Sequence, residues 1–390
     1  MASPDNGVPP VPAGTRAQPQ PDGPTQPRAD GESQPGTGGG PQPADPGLPT
    51  ISQPKGGGAI RGLGEKFAAN PVTGTGSFTV PLALSPGRSG FTPALELAYN
   101  SGEGNGPFGL GWAVSTPSIT RRTDQGLPRY ADAEESDVFL ISGAEDLVPV
   151  LGDDGRPAAD ATTWPGWTVR RHRPRTEGLF ARIERWTSDE TGETHWRSIS
   201  RDNVTTRYGV TAASRVEDGG RTFSWLICES WDSHGNAAVY EYAAEDAAGV
   251  DTTAGAERTR RRDAGRYLSK VKYGNRVSRL VQPDLAAMEW LFEVAFDYDE
   301  GRLLEQPPDP GTPAGAQLDR VLASYDPATA WAARPDPFSR YRAGFEVRTH
   351  RRCRRVLTFH RFAELGAEPC LVRSTDLGYD DFADSQCLFW

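Results

Sequence analysis

From Phe67 onward the dominant period of apolar residues is two, the spacing that sets alternate side chains on one face of a strand. The clearest run is Met288, Trp290, Phe292, Val294, Phe296 and Tyr298, separated by Glu289, Leu291, Glu293, Ala295 and Asp297. A helix would need spacings of three and four. Phe78, Val80, Leu82 and Leu84 make a second run, in which Pro81 points to an edge or a bulge, and Leu95, Leu97 and Tyr99 follow the turn-rich SPGRSG. Residues 180–186 and 196–199 flank SDETGE and predict a hairpin; Phe223, Trp225 and Ile227 are expected to pair with residues 239–242 across DSHGN. Helical spacing is weak, best over residues 316–333, where Pro327 limits it. WDSHGNAAVYEY (231–242) and LSKVKYGNRVSRL (268–280) each set a Gly–Asn turn beside an alternating run, a repetition that fits hairpins stacked in a wound sheet. The pattern predicts an all-β chain.

Composition adds a boundary. Residues 1–54 hold 14 Pro and 9 Gly and no aromatic residue, too little apolar surface to offset chain entropy, so a disordered tail is expected there and a globular region from Lys55 to residue 390. Gly (44) and Pro (34) make up a fifth of the 390 residues, which favours turns over helices. The net charge of −10 gives little long-range attraction for phosphate backbones or anionic membranes, so nucleic acid is not expected as a partner. The start MASPDNGVPPVPAG lacks the basic and apolar regions of a secretory signal, and no apolar run is long enough to span a bilayer. Cys228, Cys353, Cys370 and Cys387 are too widely spaced for a disulfide framework or a CxxC site and are expected as thiols.

The candidate chemistry is thin. Gly104–Gly109 (GNGPFG) matches GxGxxG, but Pro107 lies inside it and no helix follows to hold a pyrophosphate, so turn glycines are expected. GGGAIRGLGEKF (56–67) has no GK[ST]. His172, His195, His234, His350 and His360 show no metal-ligand spacing, His350/Cys353/His360 has no second pair, and Cys228 with His234 reads as a strand residue facing a turn. The acid pairs Glu134/Glu135, Asp153/Asp154 and Asp380/Asp381 stand beside turn residues and are expected as solvated acids. Two basic runs, 257–279 with nine Lys or Arg against two acids and 345–361 with six Arg against one, are expected as an Arg-rich sheet face serving internal or partner contacts. No catalytic, cofactor-binding or metal-ligating residue is assigned, and neither a cofactor nor a small-molecule ligand is expected.

The stretch PKGGGAIRGLGEKFAANPVTGTGSFTVPLALSPGRSGFTPALELAYNSGEGNGPFGLGWAVSTPSITRRTDQGLPRY, followed by ESDVFLISGAEDLVP, resembles the amino-terminal domain of the SpvB family of Salmonella plasmid virulence proteins, a domain that also opens the B component of bacterial insecticidal toxin complexes. Weaker similarity continues through DSHGNAAVYEY, YLSKVKYGN, DPFSRYRAGFEVRTHRRCRRVLTFH and STDLGYDDF, so it covers most of residues 55–382. The resemblance implies a segment of a large, antiparallel, wound, Rhs-like β-sheet shell. It further implies partners of toxin-complex or Rhs type, a propeller, and an enclosed cytotoxic cargo. In the Salmonella proteins the domain precedes an actin-modifying ADP-ribosyltransferase with a Glu-x-Glu pair; this sequence contains no such pair, so no family catalytic residue carries over. The ending QCLFW departs from the family pattern and favours a truncated chain over a free-standing domain.

The expected function is a non-enzymatic structural component of a bacterial toxin system. The alternatives are the translocation or targeting half of an ADP-ribosylating toxin and a carbohydrate- or surface-binding module suggested by ten tryptophans. The expected location is the bacterial cytoplasm and then the exterior.

Overall fold

The computed structural model describes residues 66–70, 74–142, 145–306, 320–325 and 329–380, all within the unit Leu48–Trp390. The expected tail over residues 1–54 and the QCLFW ending lie outside the described residues. Among the described residues there is no α-helix, only four 3-10 turns, and every strand pair is antiparallel.

A first sheet has the order β1 (Lys66–Asn70), β2 (Thr75–Pro81), β3 (Glu96–Asn100) and β4 (Trp112–Val114). Pro81, the last residue of β2, lies beyond the span paired with β1, so its missing N–H breaks no rung there.

The second sheet has 15 strands. Its principal members are β5 (Ser118–Arg121), β6 (Phe139–Ile141), β7 (Glu145–Pro149), β8 (Trp167–Pro174), β9 (Arg182–Ser188), β10 (Thr194–Ile199), β11 (Thr205–Tyr208) and β12 (Arg221–Trp231). They continue as β13 (Ala237–Ala244), β14 (Arg266–Asn275), β15 (Trp290–Asp297), β16 (Arg355–His360) and β17 (Cys370–Asp376). Strands β5 to β12 each pair with their neighbours, and β12 then pairs with both β11 and β5, so eight strands close into a ring. Strand β12 is 11 residues long and serves two structures. Ser224–Leu226 pair with β5, whereas Glu229–Trp231 pair with β13 and start an open arm that runs β13, β14, β15, β16, β17.

That division corrects one expected hairpin. The DSHGN turn does join β12 to β13, but the paired residues are Glu229–Trp231 with Ala237–Val239. Trp225 instead lies opposite Ile119 and Arg215, and Ile227 opposite Tyr208. The hairpin around SDETGE is present as expected, with Trp186 opposite His195. Residues 320–325, inside the best helical stretch, form a strand against Gly301–Gln306.

The ring is filled by side chains. Phe139, Trp196 and Trp225 meet at centroid distances of 5.0, 5.7 and 6.0 Å, largely edge to face, with Ile119, Ile183, Leu147 and Ile227 buried around them. Gly209 closes the ring beside Trp225. Its φ is +67°, and a Cβ there would lie 2.2 Å from the indole Cδ1, so this position accepts only glycine without rearrangement. In the arm, Val271, Tyr273, Phe292, Val294 and Phe296 join the same core as Leu82, Leu95 and Leu97 of the first sheet. The Tyr273 hydroxyl donates to the Ser85 carbonyl at 2.8 Å. The two Gly–Asn turns of the faint repeat fall side by side: Asn275 Nδ2 donates to the Gly235 carbonyl at 2.8 Å and Asn275 Oδ1 accepts from the Ala237 N–H at 2.8 Å.

Candidate functional site

The two basic runs converge on one buried ion network, while Lys270 and Lys272 of the first and Arg361 of the second pair with Glu293 and Glu241 on the arm sheet. Run 257–279 leads into β14, run 345–361 leads into β16, and one acid of each is held by the other. Glu257 binds Arg348 of the second run, while Glu346 accepts from Arg260 of the first at 3.2 Å. The centre is buried. Glu245 accepts from the Tyr267 hydroxyl, from the His350 N–H at 2.9 Å and from Arg351 Nε at 3.1 Å; Glu257 also accepts from Arg262 at 3.1 Å and contacts His350 Nε2 at 3.1 Å. Arg351 is fully buried, bound also to Asp246 and to the Trp331 carbonyl, and Trp331 stacks on Tyr298 at 4.4 Å. Burial pushes the His350 pKa down although both carboxylates pull it up, and it pushes Tyr267 and Tyr298 above the ordinary phenol value.

Every carboxylate oxygen of Glu245 and Glu257 accepts from a cation, a hydroxyl or an N–H, so the network ties the segment after β13 to the segment before β16. Other basic residues of the runs are also used internally: Arg355 with Asp297 at 2.9 Å, Arg361 with Glu293 at 2.8 Å, Lys272 with Glu241 at 2.7 Å, and Arg352 over the Tyr379 ring at 4.3 Å. The sequence leaves internal and partner contacts open for these arginines and does not show this network, because Glu245 and Asp246 lie outside both runs.

The other candidates separate. Gly104–Gly109 forms a minimal hairpin, Asn105–Gly106 against Gly109–Leu110, that buries Phe108 on Phe296 at 6.1 Å. The glycines serve a turn. The Cys228 thiol faces the Arg207 carbonyl at 3.2 Å, and burial raises its pKa to about 11, while His234 is exposed beside Asp232. Cys353 is fully buried with its thiol on the Arg355 carbonyl, and His360 Nε2 meets Ser85 Oγ at 2.7 Å, so neither joins His350. Among the described residues no group of His, Cys, Asp or Glu is placed to hold a metal ion.

One acid pair differs from expectation. Glu135 is not a solvated acid: it binds the buried Arg185 inside the ring, and also Arg170 at 3.3 Å. Asp132 and Asp137 bind Arg121 at 2.5 and 2.7 Å, so residues 132–137 close the ring with ion pairs. Two histidines sit in the ring wall without an acid. His172 packs between Phe139 and Trp196, near Arg185, and His195 between Trp167 and Trp186, near Arg197, Arg207 and Arg215. Burial, helped by those cations, lowers both pKa values to about 3. Both lie opposite neighbours fixed by register, information no local spacing carries.

A large cleft on the arm, about 480 Å³, is lined by Trp290, Met288, Phe362, Lys272, Arg276 and Arg361. Glu289, Glu293 and Glu241 already pair its cations.

Comparison with known proteins places the chain. Residues 70–362 match the family described as SpvB, Salmonella virulence plasmid 65kDa B protein. The chain is 40% identical over 343 residues to the mono(ADP-ribosyl)transferases SpvB of Salmonella typhimurium (strain 14028s / SGSC 2262) and Salmonella dublin, covering 84% of this chain and 54% of each relative. It thus spans about half the length of the curated relatives it matches. Among solved structures, the N-terminal domain of effector protein SpvB from Salmonella typhimurium strain LT2 superposes with a TM-score of 0.65 at 39% identity, covering 78% of this chain and 94% of that one. TcdB2-TccC3 superposes with a TM-score of 0.67 at 35% identity, covering 86% of this chain and 16% of that one. The Photorhabdus luminescens Tc holotoxin pore gives 0.67, 35%, 86% and 15% in the same terms.

Proposed function

Because the chain belongs to the SpvB family, we propose that it is a non-enzymatic structural component of a bacterial toxin system, a wall segment of a β-shell that encloses or delivers a cytotoxic cargo. The observation that carries this reading is the likeness to TcdB2-TccC3 over 86% of this chain, with a fold that is a sheet throughout. The internal use of the basic runs supports it, because charge is spent on fastening strands. Partners on this reading are Rhs-type and propeller polypeptides and a cargo domain, reached after release from the bacterial cytoplasm. The same proposal takes residues 55–390 as the β-rich unit and 1–54 as a tail outside it.

A second reading has a specific support. The chain corresponds to 54% of relatives named mono(ADP-ribosyl)transferase SpvB and aligns with their N-terminal domain structure, which fits the targeting half of a modular toxin. Incubation of the chain with labelled NAD and actin, beside a pull-down with an Rhs-type partner, tests both. A shell segment binds the partner and transfers no label. Label on actin overturns the non-enzymatic assignment, and failure to bind any Rhs-type partner leaves the second reading in its place.

A further inference from the structure

The outer face of the β8–β9 hairpin joins exposed arginines to exposed apolar side chains. His172 lies opposite Ile183 and both point into the ring, so Arg171 and Arg173 point outward, where Arg171 lies opposite Glu184 and Arg182 follows on the same face. Arg171 and Arg173 are exposed, and among the described residues neither has an acidic partner. Arg182 is 45% exposed and held by Glu184, and Arg175 is 61% exposed and held by Asp146 at 3.1 Å.

Just beyond these arginines the hairpin turns through residues 175–181. There Leu179 is 46% and Phe180 65% exposed. Phe180 has a φ of +48°, a left-handed conformation costly for a bulky side chain, and its N–H donates to Glu177 Oε1 at 2.7 Å. The turn is thus held in a form that directs an aromatic ring and a neighbouring leucine into water. The nearby acids are engaged: Glu177 and Glu145 accept from turn N–H groups, and Glu184 accepts from Arg182, Arg197 and the Trp186 indole.

We propose that the β8–β9 hairpin tip is a membrane-docking element, with Leu179 and Phe180 entering the interface of an anionic bilayer and Arg171 and Arg173 meeting its headgroups. An acidic protein surface would match the guanidiniums but leave the two apolar side chains unsatisfied; an anionic bilayer matches both. The chain-wide charge of −10 does not oppose this, because charges more than about 8 Å from the contact are largely screened at physiological salt. The inference goes beyond the shell reading and stands whether or not that reading holds.

The test is flotation of the full chain with vesicles of phosphatidylcholine alone and of phosphatidylcholine with phosphatidylserine. Binding is expected only to the anionic vesicles, weakening as salt is raised. Arg171→Gln with Arg173→Gln is expected to weaken it about thirtyfold, from roughly fivefold per arginine at a lipid surface. Leu179→Ser with Phe180→Ser is expected to abolish flotation while leaving the melting temperature within a few degrees, since neither side chain is buried. Three results overturn the proposal: no flotation with anionic vesicles, equal flotation with both compositions, or variants that bind as the parent chain does. Capture by an acidic peptide without vesicle binding assigns the patch to a protein partner instead.

Discussion

His172 and His195 are held neutral by burial among aromatic rings and guanidiniums. Their pKa in the folded chain is near 3, against 6.5 when exposed, so between those values the unfolded chain binds more protons than the folded one. Stability therefore falls as pH drops below 6.5, by about 1.4 kcal/mol per pH unit for each histidine. Urea denaturation from pH 7 to pH 4 should show this loss, and His172→Phe should remove part of the slope. Gly209 gives the second expectation at this scale. Gly209→Ala combines a left-handed φ with a Cβ driven against Trp225, and should cost about 3 kcal/mol or more in urea denaturation. Gly155, also at positive φ but with open space around it, should cost less under the same substitution.

At the level of elements, the network around Glu245 and Glu257 fastens the 245–265 loop to the segment that enters β16. Glu245→Gln leaves the buried Arg351 with only the largely exposed Asp246 as a carboxylate partner, so it should destabilise, by at most about 3–5 kcal/mol. Adding Arg351→Met should recover part of that loss, and a double-mutant cycle measures the coupling. The sequence made the strands legible because one face of each is buried and alternation records it, as in β15. Beyond the local hairpin around SDETGE it did not show which strands meet. Nothing near Phe223 or Trp225 says that β12 leaves its hairpin partner after three pairs to join β5, because that choice is made by Ile119 and Ile141 about a hundred residues earlier. The buried salt network was hidden for the same reason. Its arginines form visible runs, but Glu245 looks like any surface acid until register brings it under Arg351.

Across the whole molecule, the ring and the arm differ in what they leave unpaired. The ring has no edges along the strands that close it, whereas the arm's hydrogen-bonded path ends at β17, where Val372 is exposed. The arm is the part that further β structure would extend. Sedimentation over a range of concentrations should show self-association that a shell partner supplied in trans suppresses; a monomer indifferent to that partner counts against the wall-segment reading. Strand β12 has one more consequence. Because it is a stave of the ring and also the root of the arm, neither can fray past it without the other, so its central amides have no local route to solvent. In deuterated buffer, residues 224–231 should exchange only through global unfolding, with protection equal to the full stability, while β17 and the 175–181 turn label early. The slowest hydrogens in the protein should therefore lie on this one strand, at the place where two otherwise separable structures share a backbone.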